Sequence, residues 1–171
     1  MTYLHDLTEG SVVDWGDGTK STITAEQAKA KDVWHTYATT STANRVVTID
    51  GVIDRRGKQT ESAFDVNALT VVRSIGKIMG EPTSLFFQCG SLTAIHAGLF
   101  DHCTAATDFS VCFYGCSALT GETPYSMVDG KKIKLWERSP ENGFAKVTSY
   151  INCFIGCEVL SDYAEIPAGW K

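Results

Sequence analysis

Leu85-Phe86-Phe87-Gln88-Cys89-Gly90-Ser91-Leu92-Thr93, then Cys112-Phe113-Tyr114-Gly115-Cys116-Ser117-Ala118-Leu119-Thr120, then Cys153-Phe154-Ile155-Gly156-Cys157-Glu158-Val159-Leu160-Ser161 repeat nearly one phrase three times between Ser84 and Gly169. Aligned on Cys89, Cys116 and Cys157, the copies stand 27 and then 41 residues apart. A fixed period of about 20–29 residues marks units that cannot bury an apolar side alone and do so by stacking. The longer spacing is that period plus an insertion. Stacking predicts three ladders of equivalent side chains: Phe86, Phe113 and Phe154; Leu92, Leu119 and Leu160; Cys89, Cys116 and Cys157.

The same residues carry a resemblance. Cys89, Leu92, Thr93, Ile95 and Phe100 stand in the pattern C-x-x-L-T-x-I-x-x-x-x-F. The run Ser91–Thr120 resembles a BspA-type leucine-rich repeat, closely over residues 84 to 126 and more loosely over 148 to 169. The resemblance implies a strand plus a short helix per repeat, the helix falling on Gly98–Thr104. Repeats of this kind occur in surface proteins of gut bacteria and in virion proteins of their phages. It implies a recognition or adhesion module rather than a catalyst.

A chain of 171 residues holds one domain or two small ones. A net charge of −5 argues against a nucleic-acid partner, which needs a basic patch. The local basic clusters, Arg55-Arg56-Gly57-Lys58 and Lys131-Lys132-Ile133-Lys134, read as solvated faces. No apolar run reaches the roughly 18 residues of a membrane helix, so no membrane insertion is expected. Met1–Asp6 has neither a basic n-region nor an apolar h-region, so no signal peptide is expected. Synthesis in a cytoplasm, as for a phage structural protein, or a fragment of a longer chain would both fit. The six cysteines admit a disulfide framework. Their repeat positions beside Phe and Leu favour buried thiols, which behave as small hydrophobes. The C-x-x-C and H-x-x-x-H pairs of zinc sites are absent, so no metal is expected.

In the N-terminal part, Val13 and Trp15 alternate with Asp14 as a strand does, and Asp17-Gly18 is a hairpin signal. Thr24 and Gln27 form a capping box that opens a short helix over Ala25–Lys31. Val33–Tyr37 and Arg45–Gly51 read as extended. Trp15-Gly16-Asp17-Gly18, then His35 and Tyr37, then Val47-Thr48-Ile49 are similar to the polycystin-type (PKD) immunoglobulin-like domain. Such a sandwich carries two or more strands before its tryptophan, and the dozen or so residues before Trp15 do not read as two strands. A partial sheet is therefore expected, its open edge covered by the repeats, by a second subunit or by further sequence. Arg55–Ser62 reads as an exposed loop and Ala68–Ile75 as a strand opening the repeats.

The expected fold is α+β and β-rich: a short leucine-rich-repeat solenoid over residues 68–171, capped by a partial Ig/PKD-like β-sheet over residues 1–67. A hairpin insertion is expected at about 121–147, turning at Asp129-Gly130. Insertions in stacked repeats map to one face, often a binding face. Trp136 and Arg138 lie there and belong to the residue types of binding hot spots. With Tyr114 and Tyr125 they are the candidate ligand-binding residues. The competing bland reading has Trp136 pinning the hairpin to the core and Arg138 pairing with Glu137 or Glu141. Asp14 and Asp17 are oxygen ligands of the kind calcium uses, although most Asp-Gly turns hold nothing. His102 and Cys103 are neighbours on a helical turn and do not face each other. No Walker loop, GxGxxG, GxSxG or HExxH motif occurs. No catalytic residue and no cofactor is expected.

Two functions follow. The first is a non-enzymatic recognition or adhesion module, at a virion surface (tail fibre or capsid decoration) or a bacterial cell surface, binding a host glycan or protein. The second is a purely structural role in virion decoration or assembly, in contact with other virion or surface proteins and with copies of itself as a homo-oligomer.

Overall fold

A computed structural model describes residues 2–37, 46–57, 61–64, 69–72 and 75–171. The N-terminal hairpin forms as its residues dictate. β1 (Thr2–His5) precedes β2 (Val12–Asp14) and β3 (Lys20–Thr22), and Val13 and Trp15 face inward with no exposure. Between β2 and β3, Gly16 lies at φ +72°, and a Cβ there would sit 2.5 Å from the Val46 carbonyl oxygen. Only glycine fits that approach. α1 (Ala25–Ala30) carries the capping box: Gln27 N–H donates to Thr24 Oγ1 at 3.2 Å, and Thr24 N–H to Gln27 Oε1 at 3.0 Å. β4 (Asp32–His35) returns antiparallel to β1, and β5 (Thr48–Asp50) completes a sheet in the order β3-β2-β5. Arg45, at the start of the strand expected there, lies outside the described residues.

β6 (Val52–Arg55) runs parallel to β8 (Lys77–Gly80), and β7 (Val71–Val72) parallel to β9 (Ala94–Ile95). Of the strand expected over 68–75, Ala68, Arg73 and Ser74 lie outside the described residues, as do Lys58 and the boundary between 67 and 68. Arg55 corrects the exposed-loop expectation. It is 1% exposed, its guanidinium 2.7 Å from Asp6 and bonded to the Glu61 and Thr83 carbonyls.

The repeats stack, yet they do not form the expected leucine-rich-repeat solenoid. Among the described residues the strands lie in five small separate sheets, and no strand runs through the three copies. The helix expected at Gly98–Thr104 is instead a series of turns closed by Leu99→His96, Asp101→Gly98 and Cys103→Phe100 backbone bonds. The reason is local. Each copy folds back every three residues: Cys89 N–H donates to Phe86, Leu92 to Cys89, and the same bonds recur at 116, 119, 157 and 160. Two residues per copy are left-handed, four apart: Ser84 and Gln88, Val111 and Gly115, Asn152 and Gly156. Such positions interrupt both strand and helix.

Successive copies are joined by main-chain bonds in register. Ser84, Phe86 and Gln88 donate to the carbonyls of Ser110, Cys112 and Tyr114; Val111, Phe113 and Gly115 donate to Ile151, Cys153 and Ile155. That register places Phe86, Phe113 and Phe154 in one column, with ring centroids 5.2 and 5.3 Å apart and planes within 18° and 3° of parallel. All three are fully buried, as are the leucine and cysteine columns apart from 4% exposure at Leu160. The column continues at both ends. Phe64 stacks on Phe86 at 5.0 Å, and Phe154 N–H donates to the Trp170 carbonyl. The buried apolar residues of the N-terminal strands and of the repeats form one contiguous core.

β10 (Tyr125–Val128) and β11 (Lys131–Lys134) form the inserted hairpin, turning at Asp129 (φ 48°) and Gly130 (φ 76°). Two successive left-handed residues make the type I′ turn that suits strand twist. β11 ends at Lys134, and Leu135–Glu137 coils into a 3-10 turn rather than extending the strand. Lys134 corrects the solvated-face expectation: it is buried, with Nζ 2.6 Å from Asp162.

Candidate functional site

The four candidate binding residues fall in different settings. Arg138 is 3% exposed. Its Nη1 donates to the Cys103 carbonyl at 3.1 Å and its Nη2 to Phe100 at 2.9 Å, while the Phe144 and Phe109 rings cover its faces. Burial lowers its pKa to about 10. It ties the insertion to the first copy and has no path to a ligand in solvent, which corrects its assignment; nor does it pair with Glu137 or Glu141. Trp136 is half-buried and meets Trp170 edge-on at 6.1 Å, with Tyr150 stacked on Trp170 at 4.7 Å. Tyr125 is half-buried beneath Lys132 and Lys134 ammonium groups at 4.6 and 5.2 Å. Tyr114 is half-buried and stacks on Phe87 at 5.3 Å. None of these contacts joins Tyr114, Tyr125 and Trp136 to one another.

The Phe87–Tyr114 pair follows from the repeat register. It stands one residue after the buried phenylalanine column and so points to the outside of the stack. Ile155 takes the same position in the third copy and is also half-buried. Beside this row the Gln88, Gly115 and Gly156 backbones come close, and a Cβ on Gly156 would be 3.2 Å from Gly115 Cα. Phe87, Tyr114 and Ile155 thus form a half-buried apolar strip along the outside of the stack.

The Trp15–Tyr37 motif is structural in its geometry. His35 stacks on Trp15 at 4.7 Å and meets Tyr37 edge-on, and its Nε2 lies 2.8 Å from Asp17. Thr19 bonds, above all from its hydroxyl, and then the His35 bond lower the Asp17 pKa to about 2. Asp14 Oδ1 accepts from Gly16 N–H, and its other oxygen lies 3.1 Å from Lys20. Both carboxylates thus serve the turn. Among the described residues no group of three His, Cys, Asp or Glu side chains is placed to hold a metal ion.

The six cysteines are free and buried. Cys116 and Cys157 donate S–H bonds to the carbonyls of Phe86 and Phe113, one copy back. Burial raises the Cys103 thiol to about 11 and pushes Cys112 and Cys153 well above the ordinary range. Such thiols stay protonated and are poor nucleophiles. His102 is exposed while Cys103 points inward, so they share no site.

One feature went unsingled in the sequence: Trp34, 56% exposed on β4. The strand alternation was legible, but which face met solvent depended on pairing with β1. Comparison with protein-family models, with curated proteins and with solved structures finds no match.

Proposed function

We propose that the chain is a non-enzymatic recognition module at a virion or bacterial surface, binding a host glycan or protein. The observation that carries this is the Phe87–Tyr114 strip, where aromatic rings are held in register by the backbone yet left half-open to solvent. Rigid aromatics with little conformational entropy to lose suit binding surfaces. The resemblance of residues 84 to 126 to surface and virion repeats supports the same reading. The test compares wild type with Tyr114→Ala on intact host cells and on a glycan array. Saturable binding that the variant weakens is the expected result. Absence of binding to cells and glycans alike counts against the reading.

The structural alternative, decoration or assembly of a particle, is favoured by the outer edges of β3 and β5, which have no strand partner among the described residues. Open edges invite pairing with another chain. Light scattering separates the two: a monomer at high concentration disfavours assembly through these edges.

A further inference from the structure

The two-stranded β1–β4 sheet carries an array on its outer face. Strand alternation sends Leu4 and Val33 into the core, at 3% and 2% exposure. Tyr3, His5, Asp32 and Trp34 therefore project together on the other side, with Tyr3 directly across from Trp34 and His5 across from Asp32. The Tyr3 and Trp34 rings are 5.2 Å apart, tilted by 55°, and His5 meets Tyr3 edge-on at 4.8 Å. His5 Nδ1 contacts the carboxylate of Asp32, whose side chain is 44% exposed.

We propose that this array is a binding site for a pyranose ring of a surface glycan, a claim that rests on the recognition reading above. An aromatic face is electron-rich and attracts the polarised C–H bonds on the flat side of a sugar. A tryptophan left open on a strand offers that face without any rearrangement. Two strand rungs away on the same face, the Asp32 carboxylate and the His5 ring offer polar groups to a sugar's hydroxyls. Apolar contact plus a few convergent polar groups is the usual chemistry of a small-ligand site. The ring spacing argues against a cation cage. Centroids 5.2 Å apart leave no room for a quaternary ammonium between them, so a ligand lies over Trp34 rather than between the rings.

The test uses the full chain labelled with ¹⁵N, whose four tryptophans give separate indole N–H signals. Methyl glycosides of glucose, galactose, mannose and N-acetylglucosamine are titrated in turn, and the chain is applied to a glycan array. The Trp34 signal should move saturably with at least one sugar, while that of Trp15, with no exposure, stays fixed. Trp34→Ala should weaken array binding by about tenfold or more, and Asp32→Asn should weaken it less. Trp34 is exposed, so an unchanged melting curve will certify the fold of that variant. Array binding that persists in both Trp34→Ala and Tyr3→Ala overturns this site and leaves the recognition reading standing. A Trp34 signal that responds to choline and to no glycoside also overturns it. Binding to host cells without any glycan response overturns the sugar claim and leaves a protein ligand.

Discussion

Replacing Phe113 by alanine tests the stacked core at its centre. The ring is fully buried, with Phe86 at 5.2 Å on one face, Phe154 at 5.3 Å on the other and Phe100 edge-on at 6.0 Å. Burying a phenylalanine and leaving a cavity in its place differ by about 3–5 kcal/mol. Each aromatic pair adds about 0.5–1.5 kcal/mol beyond area burial, so the upper part of that range applies, roughly 4–5 kcal/mol. Phe113→Leu keeps most of the volume and loses the ring contacts, for about 2 kcal/mol. Phe87→Ala, in the half-open row, should cost about 1 kcal/mol. The assay is urea unfolding followed by tryptophan fluorescence and circular dichroism. With a slope of about 2 kcal/mol per molar, the alanine variant shifts the midpoint down by about 2 M. A natural domain holds only about 5–15 kcal/mol, so Phe113→Ala could fail to fold; the leucine variant then decides. If Phe113→Leu and Phe87→Ala cost the same, or Phe113→Ala costs under about 1.5 kcal/mol, the column is not the centre of the core.

Arg138→Ala leaves the Phe100 and Cys103 carbonyls without their donor. Relief of a buried cation offsets part of that loss, so about 2–4 kcal/mol is expected by urea unfolding, and Arg138→Lys, lacking the forked geometry, does not restore it. Val111 is a β-branched residue at φ 50°, where the third copy has Asn152 at φ 57°. Val111→Asn should therefore raise stability by about 0.5–1 kcal/mol, and a loss larger than that would refute the strain argument. Asp17 has its pKa lowered from 3.8 to about 2 in the folded chain, so its contribution is present above about pH 4 and is lost as pH falls through 2. Asp17→Asn should flatten the fall in melting temperature between those limits, and an unchanged acid profile would show that the turn carboxylate does not matter.

Local signals in the chain translated directly into structure. Asp129-Gly130 and the Thr24–Gln27 box each needed only neighbours within a turn, and each formed. The phenylalanine column was also legible, because a fixed period brings equivalent side chains together whatever path the backbone takes. That path was the illegible part. Of the left-handed positions Ser84, Val111 and Asn152, only asparagine signals such a conformation by its type. The resemblance therefore implied a strand and a helix per repeat where three-residue turns occur. Arg138 misled for a related reason: its partners are backbone carbonyls, which leave no trace in side-chain identity. The same holds for Trp34, whose outward face is set by pairing with Tyr3, thirty-one positions earlier in the chain.

The cysteine columns bear on how the molecule ages. Every thiol is sealed inside the fold, and two of them are engaged with the backbone of the preceding copy. An oxidant in the surroundings can reach them only during moments when a copy detaches, so chemical damage proceeds at the pace of local opening. Once exposed, neighbouring sulfurs can cross-link in arrangements that the intact packing does not accommodate. Recovery after denaturation then depends on a reductant, and shelf life in air becomes a measure of how seldom the stack breathes.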